Sequence, residues 1–122
     1  MAEVTNRIPF DEARDLLERP GRACVGFVVD GRPHIEAVDL RYQDGRFLVG
    51  IGDDTPQPDG DAEVVLVVDE GVLFFDLRAV YVRGGPRPIP PAGGGGRTWY
   101  DVDPVIVTCW DYGRLRSIDD GA

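Results

Sequence analysis

The groups best able to do chemistry in this chain are carboxylates and guanidiniums, and they are segregated along it. Between Arg46 and Arg78 lie eight acids and no base, and Asp53, Asp54, Asp59, Asp61 and Glu63 all fall in one loop-like stretch, "DDTPQPDGDAE". All 13 basic residues are arginine, and six of them lie between Arg78 and Arg116. An acidic loop can hold a divalent cation, but this one lacks the ligand spacing and the closing glutamate of a calcium loop. An arginine-rich third can hold an anion, because the guanidinium fork matches carboxylate and phosphate. The plainer reading of both is solvated surface charge.

Other reactive types are scarce. His34 is the single histidine and sits just past a turn, where it reads as an ordinary strand residue. With one histidine, and Cys24 and Cys109 both in apolar runs, a zinc site lacks ligands and the thiols read as reduced and buried. No metal site and no catalytic residue is assigned. The four glycines 93–96 follow no nearby strand and precede no lysine and serine, so they read as linker rather than as a phosphate cradle. Trp99 and Trp110 read first as core or interface aromatics.

The elements that must carry these groups follow from length and periodicity. At 122 residues the chain suits a single domain spanning 1–122. No apolar run is long enough to cross a bilayer, and "MAEVTNRIPF" has neither the basic head nor the apolar core of an export signal. A cytoplasmic protein is expected. A net charge of −9 argues against nucleic acid, which needs a basic stripe to displace counterions.

Ala13, Leu16 and Leu17 have helical spacing, which predicts one short helix, capped at Asn6 or Asp11 and stopped by Pro20-Gly21. Strands are then predicted over 23–29 and 32–42 around Asp30-Gly31, and over 46–52 after Asp44-Gly45, both turns being dipeptides that tolerate positive φ. A fourth strand over 63–69 and a fifth over 72–84 flank Glu70-Gly71. In the fifth, Leu73, Phe75, Leu77, Ala79 and Tyr81 share one face and Asp76 and Arg78 the other. "GGPRPIPPAGGGG" over 84–96 predicts a mobile loop, and 103–116 a last strand. Six antiparallel strands with one leading helix solve their edge problem by curling into a half-closed barrel, and pairing with a second copy would cover an apolar flank.

Taken in order, these parts resemble the pyridoxamine 5′-phosphate oxidase-like split β-barrel family, which includes flavin- and deazaflavin-binding oxidoreductases. The resemblance runs from about Leu16 to Arg116. It is carried by Asp30, Gly31, Arg32, Pro33 and His34 at the first hairpin, by Asp44, Gly45 and Arg46 at the second, and by Trp110, Asp111, Tyr112, Gly113 and Arg114 near the end. It implies a six-stranded antiparallel split β-barrel of Greek-key type with a short N-terminal helix, assembled as a homodimer. FMN or the deazaflavin coenzyme would lie in the groove between protomers. Val38, Asp39, Leu40, Gly50, Ile51 and Gly52 would line its ring, and Trp110 would close the pocket from the partner chain. Chemistry would then reside in the cofactor, the protein supplying orientation and exclusion of water.

The acidic loop sets this chain apart, because the segment after the third strand is where the resemblance places the cofactor phosphate. Two charges about 4 Å apart near a surface interact by about 4 kcal/mol. A micromolar affinity is worth about 8 kcal/mol. Phosphate among Asp53 to Glu63 therefore loses much of its binding, with only Thr55 and loop amides as donors, and Pro56 and Pro58 break the helix that would present basic residues. Three readings follow. Phosphates turn instead towards Arg78, Arg83, Arg114 or Arg116; the groove serves another small molecule or a protein, with no redox cofactor; or the acids hold a cation.

Overall fold

The computed structural model describes residues 4–5, 7–19, 22–71, 76–90, 95–113 and 116–117. Strands β1 (Val4–Thr5) and β2 (Arg7–Ile8) precede a 3-10 turn over Phe10–Glu12 and helix α1 (Arg14–Glu18). Then follow β3 (Arg22–Val29), β4 (Arg32–Ala37), β5 (Asp39–Gln43), β6 (Arg46–Gly52), β7 (Val64–Glu70), β8 (Arg78–Pro88), β9 (Arg97–Asp111) and β10 (Arg116–Ser117). Among the described residues no helix is long and apolar enough to cross a membrane.

The two predicted hairpins form at the expected dipeptides. Asp30 and Gly31 have φ of 52° and 75°, Asp44 and Gly45 of 53° and 75°, the double positive φ that a two-residue connection between right-twisted strands requires. The stretch 32–42, expected as one return strand, is two. β4 pairs with β3 and β5 with β6, and the break falls at Val38, whose N–H donates to the Ala23 carbonyl at 3.1 Å. In the sheet order β4-β3-β7-β8-β9-β6-β5 these consecutive strands stand at opposite ends, so the antiparallel sheet must curl until its ends meet at Val38. The result is a half-barrel, mainly β with little helix. With β2 paired to β9 the main sheet holds eight strands, against the six counted from the sequence.

Three further expectations are corrected. The helix is shorter: α1 begins after Ala13, and Asp11 makes no capping bond because it lies inside the 3-10 turn; Asn6 is outside the described residues. The supposed loop over 84–96 is largely strand, with Gly84–Pro88 paired to Tyr100–Pro104. Prolines are tolerated there because pairing with β7 stops at Gly84 and, among the described residues, leaves β8 without a hydrogen-bonded strand on that side. The Ile89 N–H donates to the Trp99 carbonyl at 3.0 Å, so residues of its parity face β9, while Pro86 and Pro88, one step out of phase, face the open side. For the same reason the last strand starts at Arg97 rather than 103 and ends at Asp111.

The alternation places Val25, Leu66 and Val82 in one fully buried row and Val68, Val80 and Cys109 in the next, with Ala13, Leu16 and Leu17 packed against the barrel end. In β8 the core face is thus that of Val80 and Val82, not that of Tyr81; Leu73 and Phe75 lie outside the described residues. The outward row Ile35, Gly26, Val65, Arg83, Ile106 is apolar but for the arginine, and Ile35 is 77% exposed.

Candidate functional site

Of the strand residues expected to line a ring, the structure brings Asp39, Gly50 and Gly52 together on one face. Asp39 stands opposite Gly50 in the β5–β6 register, and Gly50 opposite Trp99 in β6–β9, with Gly52 opposite Arg97. Side chains divide between the two faces of the pleat. Asp39, Gly50 and Gly52 share the outer face. Leu40 and Ile51 point into the core and Val38 packs partly against it, so these three could touch a ligand on that face only through backbone. Trp110 lies near the far end of β9, opposite Ala79 and Arg7, stacked on Tyr112 at 6.3 Å and beneath the Arg7 guanidinium at 5.1 Å. Within one chain it is eleven residues of strand away from Trp99. Arg114 lies outside the described residues.

Trp99 is the residue that sequence reasoning undervalued. Its indole lies across Gly50 so closely that a Cβ there would fall 2.8 Å from Cε2 and Cζ2. The Arg41 guanidinium sits 4.6 Å from the indole centroid, a cation–π contact. Beside it, Arg97 pairs with Asp39 at 2.9 Å and donates from Nη1 to the Gly50 carbonyl at 3.3 Å. Two residues along β9 lies Asp101, whose carboxylate is 5% exposed and whose Oδ2 accepts from Arg46 Nε at 2.9 Å and from Arg87 Nη2 at 3.1 Å. Arg87 and Arg97 fall within or beside the stretch read as loop, which hid their common face.

The acidic loop is closed on itself. Thr55 donates both its N–H and its hydroxyl to the Gly52 carbonyl, at 3.2 and 2.8 Å, and Gln57 Nε2 donates to the same oxygen at 2.8 Å. Tyr100 then donates to Gln57 Oε1 at 2.7 Å, and burial, then the nearby Asp53 charge, raise the Tyr100 phenol. Asp53 accepts from Thr98 at 2.6 Å and Glu63 from Arg83 at 2.8 Å. Thr55, the donor expected to remain for a phosphate, is therefore turned inward.

Of the arginines proposed as substitutes, Arg78 and Arg83 are also engaged, while Arg114 and the Arg116 side chain lie outside what the structure describes. Arg83 is held by Glu63. Arg78 bridges Asp15, at 2.7 Å, and Glu70, tying the helix to the β7–β8 end of the sheet. That guanidinium, first by hydrogen bonding, pulls the Asp15 carboxyl down to about 2, and the two acids raise Arg78 in turn. Cys24 and Cys109 are free thiols, both raised chiefly by burial, which suits packing rather than nucleophilic attack. Among the described residues no group of three His, Cys, Asp or Glu could hold a metal.

No protein-family model matches the sequence, and no curated protein matches it significantly. Solved structures do match the fold. The FAD-binding protein from Mycobacterium smegmatis superposes with a TM-score of 0.67 at 22% identity, over 88% of this chain and 96% of its own. A FAD-binding protein from Mesorhizobium loti gives 0.65 at 14%, over 89% and 96%. A candidate pyridoxamine 5′-phosphate oxidase from Corynebacterium glutamicum gives 0.68 at 14%, over 93% and 98%. The chain has the pyridoxamine 5′-phosphate oxidase-like split-barrel fold.

Proposed function

We propose that this protein is a flavin-binding, oxidoreductase-like split barrel that works as a homodimer, transferring hydride or electrons to a small molecule. The ring of FMN, FAD or a deazaflavin coenzyme lies on the outer strand face at Val38, Asp39, Leu40, Gly50, Ile51 and Gly52, with Trp110 of the partner subunit closing the pocket. The observation that carries this reading is a glycine-lined strand face, Gly50 and Gly52, in a fold shared with two FAD-binding proteins. When bound, the cofactor supplies the redox chemistry. The chain's own residues bind and orient it: Asp39 and Arg97 fix one another at its edge, and Trp99 and Arg41 form an apolar and cationic wall. Dimerisation is supported by the outward apolar residues Val28, Ile35 and Ile106, between 46 and 77% exposed.

One observation favours a second reading, a cofactor-free dimer binding another small molecule or a protein. Trp99 already covers Gly50, and Arg41 covers Trp99, so the chain's own indole occupies part of the strand face. The two readings separate on one experiment. The flavin reading expects flavin absorbance in the purified protein, or a melting temperature that rises with FMN, FAD or the deazaflavin coenzyme. Colourless protein whose melting temperature ignores all three rejects that reading and leaves the binding module.

A further inference from the structure

Among the described residues six arginines are matched one to one by carboxylates: Arg14 with Asp11, Arg22 with Asp69, Arg83 with Glu63, Arg97 with Asp39, and Arg19 and Arg78 together with Asp15 and Glu70. Arg19 and Arg78 also share one oxygen, Oδ2 of Asp15, but there Glu70 supplies a second carboxylate; on the outer face of β6, β8 and β9 no second acid is paired among the described residues. There two guanidiniums, those of Arg46 and Arg87, share a single oxygen of Asp101. The carboxylate is buried at 5% exposure, whereas the arginine side chains are 53% and 66% exposed. Each arginine has five N–H donors and each uses one on Asp101, so four donors on each exposed guanidinium remain available on a fixed anchor. Arg41, in the same row across β5 and β6, has only the indole as partner among the described residues. The acids near this cluster are Asp103, exposed and across β9 from the start of β6, and the turn residue Asp44.

We propose that Arg46 and Arg87, held by Asp101, form the receptor for the phosphate of a ring-bearing phosphate ester whose ring rests at Gly50 and Trp99. The spacing is suitable. Asp101 follows Trp99 by two residues on one face, about 7 Å along the strand. A bidentate guanidinium–phosphate contact is among the strongest charge-assisted hydrogen bonds, and two forks on one anchor suit a phosphate or diphosphate group. The ligand then runs along β6 with its phosphate towards the Asp44-Gly45 turn, away from the acidic loop, which begins at the strand's other end about 20 Å off. This rests on the flavin reading for the identity of the ring, but not for the phosphate receptor itself.

The test uses the full-length protein with both tryptophans kept, titrated by calorimetry with riboflavin, FMN, FAD and pyrophosphate. The expected result is that FMN and FAD bind at least about tenfold more tightly than phosphate-free riboflavin. Arg87→Gln, and separately Arg46→Gln, should each remove most of that advantage while riboflavin binding stays. Single substitutions leave Asp101 one arginine, and an unchanged melting temperature shows the fold is kept; Arg87→Lys, which keeps the charge but loses the fork, should fall between. If phosphate improves binding equally in wild type and both glutamine variants, the receptor lies elsewhere and the inference is wrong, though the flavin reading stands. If no flavin binds but pyrophosphate does, and needs both arginines, the receptor stands and the flavin reading falls. If neither class binds, both fall.

Discussion

The acidic loop and the arginine face lie at opposite ends of β6, and they direct their donors in opposite ways. In the loop, Thr55 and Gln57 spend three donors on one carbonyl, that of Gly52, leaving carboxylates outermost. On the arginine face one buried carboxylate oxygen anchors two exposed guanidiniums and leaves most of their donors unspent. The sign of local charge is therefore a poor guide to a binding site. Which groups are consumed internally, and which are left facing water, decides what each end can accept.

The largest expected effect comes from separating the strands that bring the arginines together. Arg87 reaches Asp101 because β8 continues past a register shift at Arg83/Gly84, and at Gly84 an added Cβ would collide with the backbone carbonyl of Asp103. Neither strand can yield cheaply, because both sit in the ladder. Gly84→Ala should cost about 3 kcal/mol or more, at the upper end of overpacking effects, and reduce phosphate-dependent binding along with it. Urea denaturation measures the first and the calorimetric FMN titration the second. Wild-type stability in this variant would mean that β8 and β9 do not close at the shift and that Arg87 is not delivered to the face as described.

A smaller effect tests the other side. Gln57 links the loop to the barrel through both ends of its amide, to Gly52 and to Tyr100. Gln57→Leu removes three hydrogen bonds at a part-buried position, to the Gly52 and Thr55 carbonyls and from Tyr100, and leaves the Tyr100 hydroxyl unpaired, which should cost about 1–3 kcal/mol. Backbone amides over 53–63 should exchange faster while those of β3 and β7 hold. Unchanged exchange in the loop would show that its closure is set by Pro56 and Pro58 alone, and the contrast in donor use would lose its cause.

The legible and illegible parts of this fold divide along physical lines. Asp30-Gly31 and Asp44-Gly45 announced their hairpins because the required φ is written into the residue types. The bend at Val38 carried no such mark. Glu36, Val38, Leu40 and Tyr42 keep one parity straight through it, and only closure of the barrel sends the two halves to different neighbours. The stretch 84–96 misled because proline and glycine argue against strand in general, whereas an edge position with the right phase accepts Pro86 and Pro88. That error hid the site's most informative part, since the partners of Arg87, Arg97, Trp99 and Asp101 depend on β8 and β9 being paired there. Gly50 and Asp39 were reachable through the family resemblance; the Asp101 anchor, a charge buried by long-range pairing, was not.

The smallest effect separates charge from donor direction most cleanly. Asp54 and Asp61 are exposed and make no side-chain hydrogen bond or ion pair among the described residues, unlike Asp53 and Glu63. Asp54→Lys with Asp61→Lys should therefore change stability by no more than about 0.5 kcal/mol. If negative charge were the obstacle to phosphate capture, this reversal would turn repulsion into attraction and FMN would bind at the loop. Solvent-exposed charges, however, are worth about 0.5 kcal/mol each, and the reversal leaves Thr55 and Gln57 still turned onto Gly52. The expected gain in FMN affinity is no more than about fivefold, falling with added salt, and it leaves the sensitivity to Arg87→Gln intact. Tightening well beyond tenfold, together with indifference to Arg87, would place the phosphate in the loop and show that charge, not the direction of donors, had governed this end of the strand.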